Sequence, residues 1–207
     1  MNRRNNPPLP PAIRQVVPPA WCEDCNVCCR FPEKNSFLAP YFTLEEIAVA
    51  TEFPGVGTEL NSVPDANSLP FKGRDRVGMG LFSGEPKTGS KITLLPYREG
   101  YICPAFNPAA AHCKIYEVRP IDCKLYPFAI LWNPSGKEVL LGMDTKCPFV
   151  TEHAEDDLLK EASLEIASAL ESPPLLDILA SNRDLIGPYQ EDVIPLATLK
   201  GLTSRII

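Results

Sequence analysis

Eight cysteines are spread over 207 residues, yet four of them fall between positions 22 and 29. Cys22, Cys25, Cys28 and Cys29 read C-x2-C-x2-C-C. A C-x2-C pair lets two thiolates reach one metal, because a tight turn carries both sulfurs to one side. Three thiolates at three-residue steps suit the loops that wrap iron–sulfur clusters. A zinc ribbon more typically shows two well-separated C-x2-C pairs. Neighbouring side chains diverge, so Cys28 and Cys29 serve different sites, or one of them alone is a ligand.

The other four, Cys103, Cys113, Cys123 and Cys147, are separated by nine, nine and twenty-three residues. No single loop spans them, but several loops can converge on one point. Cys103-Pro104 and Cys147-Pro148 are steps in which proline stiffens the chain after a ligand and removes a backbone donor. Arg30, Lys114 and Lys124 directly follow cysteines, Lys146 precedes one, and Arg119 lies four residues before Cys123. Such cations lower thiol pKa values and offset the charge of a thiolate site. Taken singly, each reads equally well as solvated surface charge. One or two cysteines can be small buried hydrophobes, but that role does not explain four in eight positions. The expected metal ligands are therefore Cys22, Cys25, Cys28, Cys29, Cys103, Cys113, Cys123 and Cys147. The expected cofactor is an iron–sulfur cluster, [4Fe–4S] in type, or zinc. Eight thiols can make two four-ligand sites or one site with spare thiols, and spacing leaves both open. His112, beside Cys113, is a further candidate ligand or donor, whereas His153 reads as exposed.

Metal rather than disulfides follows from the expected compartment. In a secreted chain an even cysteine count would suggest four disulfides. The segment from Met1 to Pro8 carries charge with no apolar stretch behind it, so it does not read as a secretory signal. A cytoplasmic location is expected, and there clustered cysteines hold metal or do redox chemistry. The net charge of −6 and pI near 5.0 argue against nucleic acid as a partner. No stretch approaches the roughly 18 apolar residues of a membrane-spanning helix. The expected partners are a metal ion or cluster and a protein, with neither nucleic acid nor membrane.

The elements that must position these thiols are short. Residues 1–20 hold Pro7-Pro8, Pro10-Pro11 and Pro18-Pro19 and read as an extended, flexible tail. Thr43-Leu44-Glu45-Glu46 is a capping signature that predicts a helix over 43–52. Residues 53–90 read as loops, and Lys91–Tyr97 has strand character. Residues 107–125 read as short helices and turns that carry cysteines. Apolar runs from Tyr126 to Trp132 and from Lys137 to Met143 flank Asn133-Pro134-Ser135-Gly136, which predicts a β-hairpin. A helix is expected over 151–171, with Leu158, Leu159, Ala162, Ile166, Ala169 and Leu170 on its apolar face. Pro173-Pro174 ends it, a shorter helix follows, and Val193–Leu202 reads as a closing strand. Hydrophobic residues make up 44% of the chain, enough for a buried core. The expected fold is α+β, a small single domain with short helices and a few antiparallel strands around a cysteine metal site. Its expected parts are a tail (1–20), a cysteine-cluster domain (21–150) and a helical extension packed on the same domain (151–207).

With these residues assembled, the chain resembles the cysteine-cluster family of zinc- or iron-chelating proteins, the CxxCxxCC or YkgJ-like family. The family pattern appears here as Cys22–Cys29, Cys103, Cys113-Lys114-Ile115-Tyr116, Arg119-Pro120-Ile121-Asp122-Cys123, Tyr126-Pro127-Phe128 and Cys147-Pro148. The resemblance implies metal binding over about residues 21–150. The family also includes proteins similar to flagellin lysine N-methylases, which implies S-adenosylmethionine chemistry for some members. This chain lacks the C-x3-C-x2-C loop of the common radical type. The function expected first is an iron–sulfur protein with a redox or sensing role. The alternatives are a structural zinc-binding interaction module and a methyltransferase-like enzyme. No phosphate loop, H-E-x-x-H or G-x-S-x-G element names a catalytic residue.

Overall fold

Prolines and capping side chains cut this chain into short elements. The computed structural model describes residues 13, 15–25, 27–52 and 89–207, without the side chains of residues 22–24, 51, 52 and 90. Most of the loop-rich stretch expected over 53–90 therefore lies outside the described residues. The helices are α1 (Pro19–Cys25), α2 (Leu44–Glu52), α3 (Ile121–Leu125), α4 (Pro148–His153), α5 (Asp157–Leu170), α6 (Pro173–Ser181) and α7 (Lys200–Ile206). The strands are β1 (Arg30–Phe31), β2 (Tyr41–Phe42), β3 (Ser90–Lys91), β4 (Leu95–Tyr97), β5 (Gly100–Ile102), β6 (Phe106–Asn107), β7 (His112–Cys113), β8 (Phe128–Trp132), β9 (Val139–Asp144) and β10 (Val193–Thr198). Strands order as β1-β5-β4 and β10-β9-β8 in two small sheets, with β2–β3 and β6–β7 as ribbons. These strand pairs are all antiparallel. The fold is α+β.

Helix α2 shows how local chemistry sets a boundary. Thr43 Oγ1 accepts the Glu46 N–H at 3.3 Å, and Glu46 Oε2 accepts the Thr43 N–H at 2.9 Å. This is the capping box expected from the sequence, and it satisfies donors that the first turn leaves open. The other oxygen of Glu46 reaches further. Its Oε1 accepts the N–H of Ile121, the first residue of α3, at 2.6 Å. One buried carboxylate thus ties the starts of two helices together. Burial pushes its pKa up, while the N–H donors of Thr43 and Ile121 pull it down.

The expected hairpin is β8–β9, with Phe128 paired to Met143 and Trp132 to Val139. Its turn closes through the Gly136 N–H, which donates to Asn133 O at 2.9 Å. Gly136 has φ of 68°, a left-handed conformation that glycine adopts without a Cβ clash. β10 pairs along the other edge of β9. The strand expected over Val193–Leu202 stops at Thr198, and Leu202 lies in α7 instead. There the Glu171 carboxylate accepts the N–H groups of Gly201 at 2.7 Å and Leu202 at 3.3 Å, which favours a helix start.

The helix expected over 151–171 is two helices. α4 begins at Pro148, where proline at the first turn forfeits no hydrogen bond. Asp156 then turns extended, with ψ of 139°, and α5 starts anew. Leu159, Ala162, Ile166 and Leu170 form the buried face of α5, whereas Leu158 is exposed. The strand expected over Lys91–Tyr97 is likewise split between β3 and β4.

Two hydrophobic cores result. The larger gathers α3, the β8–β9 hairpin and α4–α7, and it takes in Ile13 and Val17 from the proline-rich stretch. The smaller is built on Phe31, Phe42, Leu94, Phe106 and Ile115. Tyr41 belongs to the first and Phe42 to the second, so β2 lies across the seam. Glu46→Ala is expected to cost about 2–4 kcal/mol, because each orphaned buried N–H costs about 1–3 kcal/mol. Glu46→Gln keeps an acceptor and should cost less. Urea unfolding of the three proteins checks this order.

Candidate metal centre

The N-terminal cysteines ride on a helix rather than on the wrapping loop that their spacing suggests. Cys22 and Cys25 lie one turn apart in α1, and Cys28 and Cys29 follow in a 3-10 turn over Val27–Cys29. Pro18 and Pro19 favour this start, and the Trp21 N–H donates to Pro18 O at 3.0 Å. The Trp21 ring then packs edge-on against Phe149 and His153, with centroids 5.4 and 5.6 Å away. Phe149 is two residues past Cys147, so these rings hold α1 beside the start of α4. Cys147 itself is buried. Burial pushes its thiol pKa up, donation from the Val150 and Phe149 N–H groups opposes this, and the charges of Cys25 and Cys28 add to the rise.

Cys103 and Cys113 arrive through a different set of strands. β1 pairs with β5, setting Arg30 opposite Ile102, and the Cys103 N–H donates to Cys29 O at 3.0 Å. The Phe106 N–H donates to Cys103 O at 2.9 Å, and the Lys114 N–H to Ala105 O at 2.7 Å. β6 and β7 then set Phe106 opposite Cys113. In the connecting turn Asn107 Oδ1 accepts the N–H groups of Ala109 and Ala110 at 3.0 and 3.3 Å. Ala111 completes it at φ of 50°, a left-handed conformation that costs a non-glycine residue roughly 1–2 kcal/mol. Cys123 lies in the middle of α3, the helix whose start Glu46 caps.

The seven cysteines whose side chains are described are free thiols, and they act on one another electrically. Burial pushes Cys103 up to about 12, and the charge of Cys113 adds to it. Burial also raises Cys113. Cys123 is raised well above the usual thiol range, first by burial and then by Asp122, Cys103, Cys113 and Cys28. Cys28 moves the other way. A hydrogen bond from the Cys29 thiol lowers Cys28 first, with help from its own N–H and the Arg119 charge against desolvation. The same bond raises Cys29. Cys28 is thus the thiol that ionises first within this pair.

Arg119 reaches the sulfurs, acting on Cys28 and Cys113. Its guanidinium lies 3.7 Å from the centre of the Tyr116 ring, and its Nε donates to Tyr116 O at 3.0 Å. It also donates to Gln15 Oε1, which accepts the Tyr116 hydroxyl at 3.1 Å. Three of the other cations expected to help have neighbours elsewhere. Arg30 lies over the Tyr97 and Phe106 rings, Lys146 pairs with Asp144 and Asp192, and the Lys124 charge acts on Glu46. His112 is exposed at the cleft edge. His153 is a third exposed and pairs through Nδ1 with the Asp156 carboxylate at 2.7 Å.

A cleft of about 1180 Å³ opens beside the sulfurs, walled by Cys28, Cys29, Cys103, Cys113 and Cys123 together with Tyr116, Arg119 and Tyr126. Asp122 also lines it, and burial pushes this carboxyl up to about 6 although Oδ2 accepts the Tyr41 N–H at 2.9 Å. Neither Asp122 nor Gln15 stands out in the sequence as a site residue. The signal available for Asp122 was its place directly before Cys123.

The CxxCxxCC family model, described as "Putative zinc- or iron-chelating domain", matches residues 21–148. The chain belongs to the CxxCxxCC family. The match spans all eight cysteines, and the family's description supports binding of zinc or iron by the chain. No curated protein and no solved structure matches this CxxCxxCC protein. Among the described residues, no three Cys, His, Asp or Glu side chains close to the spacing that holds one metal ion. The donor chemistry fits zinc and iron, since free thiols become the soft thiolate ligands that both accept. A bound cation would also reverse the upward pKa shifts, because coordination deprotonates a thiol outright.

The Arg119 charge gives a direct test in the metal-free, reduced protein. Arg119→Gln raises the Cys28 pKa and should slow its alkylation by iodoacetamide about two- to tenfold near pH 8, as thiolate is the reacting form. Peptide mass mapping of the Cys28 adduct against time checks this.

Proposed function

We propose that this CxxCxxCC protein holds an iron–sulfur cluster of the [4Fe–4S] type through its cysteines and uses it in a redox or sensing role. The observation that carries the reading is the C-x2-C-x2-C run ending at Cys28, whose charge acts on Cys29, Cys103, Cys113, Cys123 and Cys147. Thiolates at three-residue steps completed by a remote Cys-Pro are the ligand pattern of cluster-binding chains. A bound cluster supplies one-electron chemistry. The chain's own residues supply the surroundings: Cys147 is buried, the Trp21 ring packs on Phe149 two residues beyond it, and the Arg119 guanidinium offsets thiolate charge at Cys28. A reducing cytosol is the compartment that this reading requires.

The large cleft favours one second reading, an enzyme whose substrate lies against the cysteines. S-adenosylmethionine is the co-substrate that family resemblance suggests for it. Calorimetry with S-adenosylmethionine on anaerobically reconstituted protein tests this reading, and no binding heat counts against it.

Purified without oxygen, the protein is expected to be brown, with broad charge-transfer absorbance that bleaches on reduction. Iron and acid-labile sulfide should accompany the colour. A colourless preparation with stoichiometric zinc would overturn the iron–sulfur reading and leave the structural zinc module. In either case a strong chelator should lower Tm by roughly 10 °C or more, because binding energy at such sites is folding energy.

A further inference from the structure

We propose that the cleft takes a small organic anion with an apolar body, its carboxylate or phosphate group held by the Arg119 guanidinium. The proposal rests on the reading of the cleft as a ligand site and names the chemistry that the ligand carries. It requires no bound metal.

Arg119 is fixed in the cleft wall before any ligand arrives. Pro120 follows it, and a residue before proline is confined to extended backbone; Arg119 has φ of −56° and ψ of 145°. Its guanidinium stacks 3.7 Å from the centre of the Tyr116 ring, Nε donates to Tyr116 O at 3.0 Å, and Nη2 donates to Gln15 Oε1. Gln15 is anchored in turn, because Ile13 and Val17 beside it are buried in the larger core. A long side chain held in this way has already lost the rotamer freedom that binding would otherwise cost.

These hydrogen-bond partners are all neutral. No carboxylate among the described residues pairs with Arg119, although Glu117 stands in the same wall, and the donors on Nη1 have no acceptor there. Its charge acts on Cys28 and Cys113, yet no hydrogen bond joins it to either sulfur. Other cations of the wall are matched: Lys146 pairs with Asp144 at 3.3 Å, and the charges of Asp122 and Asp184 act on Lys91. Arg30, 5.9 Å from the centre of the Phe106 ring, adds a second guanidinium without a carboxylate partner among the described residues. A half-buried guanidinium with unused N–H groups and no counter-ion matches the paired oxygens of a carboxylate or phosphate.

The rest of the wall selects what the anion carries. Phe106 and Ile115 reach it from the smaller core, and Val27, Phe37 and Leu38 line it although all three are exposed. Exposed apolar side chains gathered on one concavity mark a ligand groove, with a few polar groups to fix orientation. Arg119 is the orienting group, and the rings and aliphatic chains take the remainder of the molecule.

The test uses the full, reduced, metal-free chain and two alkylating reagents of similar shape, anionic iodoacetate and neutral iodoacetamide. Both attack the Cys28 thiolate, so their rate ratio cancels the pKa of the thiol and reports the attraction of a carboxylate. The ratio at Cys28 should exceed that of 2-mercaptoethanol by about three- to tenfold. Arg119→Gln should bring it down to the 2-mercaptoethanol value, and Arg119→Lys should retain part of the excess. Millimolar benzoate should slow the wild-type reaction with iodoacetate severalfold, whereas neutral benzamide should not, an arm that holds even where a variant fails to fold. A wild-type ratio no higher than that of 2-mercaptoethanol overturns the proposal. So does an unchanged ratio in an Arg119→Gln protein with native circular dichroism. Equal protection by benzoate and benzamide overturns the role of charge while leaving the cleft as a ligand site, and protection by neither removes the cleft reading itself. Inorganic phosphate protecting as well as benzoate overturns the apolar body.

Discussion

Several sulfurs gathered into a seam of low dielectric cannot all carry negative charge unless a cation sits among them. That constraint organises the molecule. Burial raises Cys103, Cys113, Cys123 and Cys147, and each thiol that ionises makes the next harder to ionise. Arg119 relieves part of this at Cys28 and Cys113, but one guanidinium does not balance a set of thiolates. A bound metal ion would, and coordination would favour the thiolate form at each sulfur it held.

The fold meets this constraint by bringing short elements in from two directions. Helix α1 and the start of α4 come from the larger core, while β1, β5 and the β6–β7 ribbon come from the smaller. Neither group is long enough to be stable by itself, since helices of five to seven residues gain little from propagation. They are fixed instead by specific polar ties. Glu46 fastens α3 to α2, Asp122 fastens it to β2, and Gln15 fastens the proline-rich entry segment to Arg119 and Tyr116.

The sequence made legible whatever depends on neighbours within a few residues. The capping box at Thr43 and Glu46 and the hairpin turn at Asn133–Gly136 follow from local chemistry, and both are present. The break between α4 and α5 was not legible, because helical periodicity runs through residues 148–170 and the extended ψ of Asp156 interrupts it. Nor was the helical state of Cys22 and Cys25, since C-x2-C spacing suits a tight turn and a helical turn equally. Of the five cations beside cysteines, sequence could not tell which face the sulfurs. That selection is tertiary, and it is made by Tyr116 and Gln15 holding the Arg119 guanidinium.

The placement of Trp21 has an optical consequence. The chain carries two tryptophans, one beside Cys22 in α1 and the other at the end of β8 in the hairpin. The indole of Trp21 is packed on Phe149 and His153, so its emission reports whether α1 is seated against α4. Trp132, paired with Val139 in the sheet, gives a reference emission from the larger core. An iron–sulfur chromophore near α1 would quench the first by energy transfer, because its absorbance overlaps indole emission, whereas zinc has no absorbance there. Trp21 emission would thus serve as a built-in gauge of the metal bound.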